Sequence, residues 1–307
     1  MLASMPSSRS ALPAFALVFN ALVWGASWWP FRQLESQGLH PLWATVFVYL
    51  LAAVVILLLR PQAFRQVLRA PALWVLVLAS GATNAAFNWG MVIGDVVRVV
   101  LLFYLMPLWA VLLARVLLGE TITRVAALRI LLALAGAAIV LWPVAVPGEP
   151  AWRSLPIPRS LPDWLGVVGG FSFALNNVML RREAQQPEAA RALAMFIGGV
   201  LVAGVLATAL AGSGRMPWPP AVAAGWFGLA VGLSVLFLLS NLALQYGASR
   251  LPANVTSVVM LSEVVVAAGS AVALGAGSLS ASLLAGGGLI VLAALLAATG
   301  KRATQSA

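Results

Sequence analysis

Apolar segments follow one another along almost the whole chain, and most are near the length that crosses a membrane. Uncharged runs include residues 10–31, 70–94, 192–214 and 216–249. About 20 helical residues span the hydrocarbon core of a bilayer, which is roughly 30 Å thick. The sequence does not show the short segments of alternating hydrophobicity that form a membrane β-barrel. The pattern predicts ten transmembrane helices at residues 12–31, 41–59, 71–92, 96–118, 123–143, 162–181, 190–211, 219–246, 252–274 and 280–299.

These segments, numbered here as spans 1 to 10, fall into two sets of five with related sequences. Residues 83–90 in span 3 match residues 240–247 in span 8, with Asn, Ala and Gly identical at corresponding positions. A weaker match relates residues 24–32 in span 1 to residues 173–181 in span 6. An odd number of spans in each copy means that the second copy inserts upside down. We therefore expect an all-α membrane protein with two inverted five-helix repeats around a central cavity, the arrangement that alternating-access transporters use.

A proline-rich segment separates the two sets of spans. Several of the 18 prolines lie between residues 143 and 162, where their fixed φ and missing donor favour an extended loop. The predicted organisation is a first repeat at residues 1–147, an outer linker at 148–161 and a second repeat at 162–307. The first apolar stretch is longer than the core of a cleaved signal peptide and is interpreted as span 1.

Composition and charge agree with a membrane protein. Charged residues make up 8% of the 307 residues and hydrophobic residues 62%, with a mean hydropathy of +1.01, whereas a soluble domain has about 25% charged residues. Most of the 18 basic residues fall in loops on the side that carries the N-terminus. This bias predicts an inner-membrane protein with both termini in the cytoplasm. The basic residues are scattered over many loops, which excludes a nucleic-acid-binding face.

Three short segments carry a resemblance to a known superfamily. Residues 20–27 (NALVWGAS), residues 104–107 (YLMP) and residues 117–120 (LLGE) resemble the drug/metabolite transporter superfamily, over the whole chain as two EamA-type repeats. Residues 104–107 are similar to the aromatic and neutral amino-acid exporters. Residues 261–264 and 274–277 depart from the pattern, because they lack its proline and its closing glutamate. The resemblance implies that spans 1, 3, 4, 6, 8 and 9 line a cavity.

Polar side chains recur on one face of several of these spans. Residues four apart lie on the same side of a helix, and an unpaired amide in lipid is costly. The stripes therefore favour a wet cavity. The alternative is that each amide joins two helices, at roughly 0.6 kcal/mol per hydrogen bond. The stripes comprise Asn20 in span 1, Ser80, Asn84 and Asn88 in span 3, Ser172 and Asn176 in span 6, and Asn241 and Gln245 in span 8.

Glu263, next to Ser262, is the one acidic residue near the middle of a predicted span. A carboxylate inside a membrane is costly and indicates a functional site by default. It could bind a proton, pair with a substrate ammonium group, or be held neutral by neighbouring hydroxyl groups. Span 1 lacks the glutamate of the small multidrug exporters, which argues against cationic drugs as main substrates.

Aromatic residues and one proline complete the predicted site. Trp24 and Tyr104 are predicted to face the cavity, and Pro107 is predicted to act as a hinge that interrupts span 4. Trp28, Trp29 and Trp109 are expected to be interfacial anchors. Asp95 and Arg98 are expected to form a surface ion pair worth under about 1 kcal/mol. Residues 286–288, three glycines in span 10, are expected to pack against another helix.

The predicted function is export of aromatic or neutral amino acids and related small metabolites by alternating access. Amides can bind both a carboxylate and an ammonium group, and aromatic rings can hold an apolar side chain. Other metabolites or drugs are the alternative substrates, and a channel-like pore is a weaker alternative. No enzyme site, metal site or cofactor is predicted, since the chain has no cysteine and its one histidine, His40, lies at a loop–helix boundary. The expected partners are the substrate and the lipid bilayer, with the chain acting as a monomer.

Overall fold

The computed structural model describes residues 11–119, 124–141, 157–248, 259 and 262–299. Every regular element within these ranges is an α-helix, so the predicted all-helical class is confirmed. The helices are α1 Ala11–Ala26, α2 Trp28–Ser36, α3 Pro41–Leu59, α4 Gln62–Arg69, α5 Pro71–Ile93, α6 Val96–Phe103, α7 Met106–Leu118, α8 Arg124–Leu141, α9 Leu161–Arg182, α10 Glu188–Gly212, α11 Ala224–Ala248, α12 Ser262–Ala273 and α13 Ala281–Thr299.

Six segments of the described structure are helical, long and apolar enough to cross a membrane. They correspond to spans 1, 2, 3, 4, 7 and 8. Spans 5, 6 and 10 coincide with α8, α9 and α13, and α12 covers the second half of span 9, whose residues 252–258 lie outside the described structure. Shorter apolar helices lie in α8, α12 and α13. The total of ten crossings and the repeat stay predictions. The six segments are Leu12–Ser36, Pro41–Leu59, Pro71–Ile93, Val96–Leu118, Glu188–Gly212 and Ala224–Leu244.

Span 4 consists of two helices that meet at Tyr104 and Leu105. Pro107 lies in the first turn of the second helix, α7. A proline ring clashes with the carbonyl group four residues earlier and cannot donate a helical hydrogen bond. The helix before it accordingly ends at Phe103, four residues before Pro107. The interruption that Pro107 predicts is therefore present in the backbone; the side chain of Pro107 lies outside the described structure.

A short helix between spans 2 and 3, α4, is absent from the predicted elements. It covers Gln62–Arg69 and lies between Pro61 and Pro71. The two prolines separate α4 from the much longer helices α3 and α5 on either side. One face of α4 is buried, with Ala63 and Val67 in the protein core.

Helix packing is tightest where glycines meet. The main neighbours are α5 with α9 and α10, α1 with α11 and α12, α9 with α6 and α7, α3 with α10 and α11, and α8 with α13. A Cβ on Gly136 would lie 2.5 Å from the Gly286 carbonyl oxygen, and a Cβ on Gly286 would lie 2.6 Å from the Gly136 carbonyl oxygen. Gly287 faces Leu101, whereas Gly288 has no neighbour within 4 Å. The predicted packing role is confirmed for Gly286 and Gly287.

Candidate functional site

The polar stripe of span 3 forms a chain of hydrogen bonds to neighbouring helices. The Tyr49 hydroxyl group on α3 donates to Asn84 Oδ1 at 2.6 Å. Asn84 Nδ2 donates to the Ser80 carbonyl oxygen at 2.8 Å and to Ser80 Oγ at 3.2 Å. Ser80 Oγ donates to the Met195 carbonyl oxygen on α10 at 3.1 Å. Asn84 and Ser80 thus join α5 to α3 and α10, and both are buried.

Asn88 makes a similar contact one turn further along α5. Its Nδ2 donates to Thr45 Oγ1 on α3 at 3.0 Å, and the side chain is 1% exposed. Thr45 Oγ1 in turn donates to the Pro41 carbonyl oxygen at 2.9 Å. The amide groups of Asn84 and Asn88 therefore contact span 2, and the Ser80 hydroxyl group contacts span 7, as the helix-joining alternative expects. A role for these amides in transport stays a prediction.

Span 1 presents its predicted residues to span 8. Asn20 Nδ2 donates to the carbonyl oxygen and to Oγ of Ser240 at 2.9 and 2.6 Å. The Trp24 ring stacks on Phe237 with a centroid distance of 4.5 Å and an interplanar angle of 16°. Asn20 is fully buried, and its Oδ1 has no hydrogen-bond partner among the described residues. Asn20 and Trp24 thus lie where α1 meets α11.

Spans 6 and 8 carry the remaining predicted polar residues, on α9 and α11. Ser172 and Asn176 on α9 are buried, and Asn176 Oδ1 lacks a hydrogen-bond partner within the described structure. Asn241 on α11 is half-buried. Gln245 also belongs to α11, but its side chain lies outside the described structure. Asn241 and Gln245, the counterparts of Asn84 and Asn88, therefore lie on the span 8 helix.

Tyr104 and Glu263 come together from spans 4 and 9. Tyr104 lies at the break between α6 and α7 and is 2% exposed. Glu263 lies in the first turn of α12, which packs against α6. The Tyr104 hydroxyl group and the Glu263 carboxyl group interact directly. Ser262 is directed elsewhere, because its Oγ donates to the Val259 carbonyl oxygen at 2.6 Å. The acid of the second half thus has a phenolic partner from the first.

The prediction of an ion pair between Asp95 and Arg98 is wrong. The Arg98 guanidinium group instead binds both carboxylate oxygens of Asp163, with Nε–Oδ1 at 2.6 Å and Nη2–Oδ2 at 3.2 Å. It also donates to the Val140 carbonyl oxygen at 2.8 Å. Asp95 caps α6 by accepting from the Arg98 backbone N–H, and its other oxygen accepts from the Ser278 backbone N–H. Arg98 therefore joins α6 to the ends of α8 and α9.

Trp28 also departs from its predicted role as an interfacial anchor. Its ring is 2% exposed, and its Nε1 donates to Ser270 Oγ on α12 at 3.0 Å. The Arg32 guanidinium group lies 5.2 Å from the Trp28 ring centroid and donates to the Met91 and Gly94 carbonyl oxygens. Trp28 is buried because it lies just after the break at Ser27 and faces α12. Trp29 is 46% exposed, as an interfacial residue would be.

Comparisons with known proteins agree with this fold. Residues 11–142 match the EamA-like transporter family, and this match is consistent with a membrane transporter of small substrates. It is consistent with the resemblance to the drug/metabolite transporter superfamily. No curated protein matches the chain. A solved structure described as "Crystal structure of protein" is similar over 95% of this chain and 97% of its own, with a TM-score of 0.56 and 19% identity. The fold likeness thus extends over nearly the whole of this multi-pass membrane protein.

Proposed function

We propose that this protein exports aromatic and neutral amino acids, and related small metabolites, across the inner membrane by alternating access. In the proposed arrangement, ten spans form two inverted five-helix halves with both termini in the cytoplasm. The observation that carries the proposal is the pattern of contacts between helices, which is unchanged in its main features when the two halves are exchanged.

The exchange replaces each span by the span five places away. The contact of span 3 with span 6 then becomes the contact of span 8 with span 1, and both are present. The contact of span 4 with span 6 becomes that of span 9 with span 1, and the contact of span 3 with span 7 becomes that of span 8 with span 2. The pairs 2 with 7, 5 with 10, and 4 with 9 map onto themselves.

Gly136 and Gly286 hold spans 5 and 10 close together. A Cβ on either glycine would point at the carbonyl oxygen of the other, at 2.5 and 2.6 Å. Two halves related by the exchange can rock against each other around a site between them, which is how inverted-repeat transporters alternate access.

The buried polar groups of spans 1, 4, 6 and 9 suit a small zwitterion better than a multiply charged solute. Asn20 in span 1 and Asn176 in span 6 each keep a buried oxygen without a partner among the described residues. A buried acceptor left unpaired costs about 1–3 kcal/mol, so a substrate ammonium group would relieve it. Tyr104 and Glu263 add a hydroxyl and a carboxyl group, and Trp24 with Phe237 adds aromatic surface for an apolar side chain.

Flux of a panel of labelled amino acids into proteoliposomes tests the proposal. Aromatic and neutral amino acids should move, and Glu263→Gln and Tyr104→Phe should each reduce that flux at least tenfold without lowering the folded yield. Glu183→Gln is the matched control, because Glu183 pairs with Arg182 at 3.7 Å at the end of α9; its flux should equal that of the wild type. Movement of drugs or nucleotide sugars, with no amino acid moved, would overturn the proposal.

A further inference from the structure

The short helix α4 presents three different stripes of side chains around its circumference. Ala63 and Val67 are 1% and 2% exposed and face the protein core. Phe64 and Leu68, about 100° further round at 3.6 residues per turn, are 46% and 50% exposed. Arg65 and Arg69 lie about another 100° further round and are exposed. The helix is therefore held rigidly by one stripe and offers an apolar stripe and a basic stripe outward.

Exposed apolar side chains also end span 2, directly before α4 in the chain. Leu58 and Leu59, at the end of α3, are 77% and 71% exposed. They lead directly through Arg60 and Pro61 into α4, and α5 begins at Pro71. Since α3 and α5 enter the membrane on either side of α4, the short helix lies at the level where hydrocarbon meets headgroups. An amphipathic helix at that level turns its apolar residues toward the acyl chains and its arginines toward the headgroups.

The basic groups of α4 and Arg60 are not paired with a carboxylate in the part of the chain that the structure describes. The chain has no acidic residue between Glu35 and Asp95. Within the described structure, no carboxylate forms an ion pair with Arg60, Arg65 or Arg69. Three exposed cations within ten residues, fixed beside an exposed apolar stripe, are complementary to a surface of negative charge above hydrocarbon.

We propose that α4 and Arg60 form a binding surface for anionic phospholipids, with Arg65 and Arg69 contacting the headgroup phosphates. Phe64 and Leu68 lie among the acyl chains of the same lipids. The arginines then contribute more than orientation during insertion: they bind a class of lipid in the mature protein. The neutral-lipid alternative, in which α4 merely rests on the bilayer, predicts no preference for headgroup charge.

Lipid titration of the purified full-length protein tests this surface. The melting temperature is followed in neutral detergent as phosphatidylglycerol or phosphatidylcholine is added, so the result does not depend on which way the protein faces. The wild type should be stabilised at a lower concentration of phosphatidylglycerol than of phosphatidylcholine. In Arg65→Gln/Arg69→Gln the phosphatidylglycerol midpoint should rise roughly 25-fold, from about 1 kcal/mol for each basic residue at an anionic surface.

Two further variants and one soluble ligand complete the experiment. Arg124→Gln/Arg215→Gln removes the same charge at exposed positions on other segments and should titrate like the wild type. Arg65→Lys/Arg69→Lys keeps the charge and should retain the preference. An equal wild-type response to both lipids, or an unchanged midpoint in the glutamine variant, would overturn the proposal. Equal stabilisation by free glycerol phosphate would also overturn it, because the ligand would then be a soluble phosphate.

Discussion

The hydrogen bond between Tyr49 and Asn84 allows the role of the span 3 amides to be measured. The two groups are 2.6 Å apart, and their side chains are 3% and 7% exposed. Tyr49→Phe removes the hydroxyl group and leaves the ring in place. Asn84→Leu removes the amide with a side chain of similar size, so that no large cavity forms. The double variant removes both partners, and the four proteins form a double-mutant cycle.

The expected magnitudes follow from burial. Asn84→Leu leaves the Tyr49 hydroxyl group without its acceptor, and an unsatisfied buried group costs about 1–3 kcal/mol. Tyr49→Phe leaves Asn84 Oδ1 unsatisfied at a similar cost. The double variant leaves neither group orphaned, so its cost should be smaller than the sum. We expect a coupling free energy of about 1–1.7 kcal/mol, above the average of roughly 0.6 kcal/mol for interhelical hydrogen bonds in membranes, because this bond is short and buried.

Unfolding in a denaturing detergent gives the free energies, and flux per folded molecule in proteoliposomes is measured beside it. Loss of stability with nearly normal flux would assign Asn84 to helix packing, whereas normal stability with lost flux would assign it to the cavity. Tyr49→Phe combined with Thr208→Val on an exposed part of α10 is the control and should be additive within about 0.5 kcal/mol. A coupling free energy near zero for Tyr49 and Asn84 would refute the reasoning from the structure.

Three other predictions follow from particular contacts. Gly286→Ala should destabilise the protein by about 1–3 kcal/mol through overpacking against Gly136, whereas Gly288→Ala, with no atom within 4 Å, should leave the unfolding midpoint nearly unchanged. Burial lowers the pKa of His40 from its usual 6.5, and the neutral ring accepts a hydrogen bond from the Leu42 N–H at 3.2 Å. The stability that neutral His40 contributes is therefore present above pH 6.5 and lost as the pH falls through the lower folded pKa. Melting temperatures should accordingly drop more steeply with acid in the wild type than in His40→Asn. We expect a facilitator, because Glu263 is the one acidic residue near the middle of a predicted span. Amino-acid flux should then be insensitive to a pH gradient in both the wild type and Glu263→Gln. Gradient-driven accumulation that disappears in the variant would contradict this.

The helices of the fold could be read from the chain because their signals are local. Length and hydropathy identify the long segments, and Pro107 predicts the end of α6 through a clash four residues back. The helix α4 was not predicted because nine residues between two prolines resemble a loop. Its signal was nevertheless present, in the spacing of Ala63 and Val67 on one stripe and Arg65 and Arg69 on another.

The site was harder to predict because its contacts join distant segments. Arg98 has an acidic neighbour three residues away, yet it pairs with Asp163, 65 residues later. Asp95 is unavailable because its carboxylate caps α6. Ser80, Asn84 and Asn88 recur every four residues along α5, but a sequence cannot say whether their face meets a cavity or the hydroxyl groups of a neighbouring helix.

Cysteine labelling at two corresponding loops tests the inverted arrangement most directly. Ser36 ends α2, after span 1, and Gln185 follows α9, after span 6; both residues are exposed. The chain has no cysteine of its own, so Ser36→Cys and Gln185→Cys can each be labelled without background by a reagent that does not cross the membrane. Inverted halves predict that Ser36→Cys reacts only from outside and Gln185→Cys only from inside. Labelling of both positions from the same side would contradict the proposal of two inverted halves.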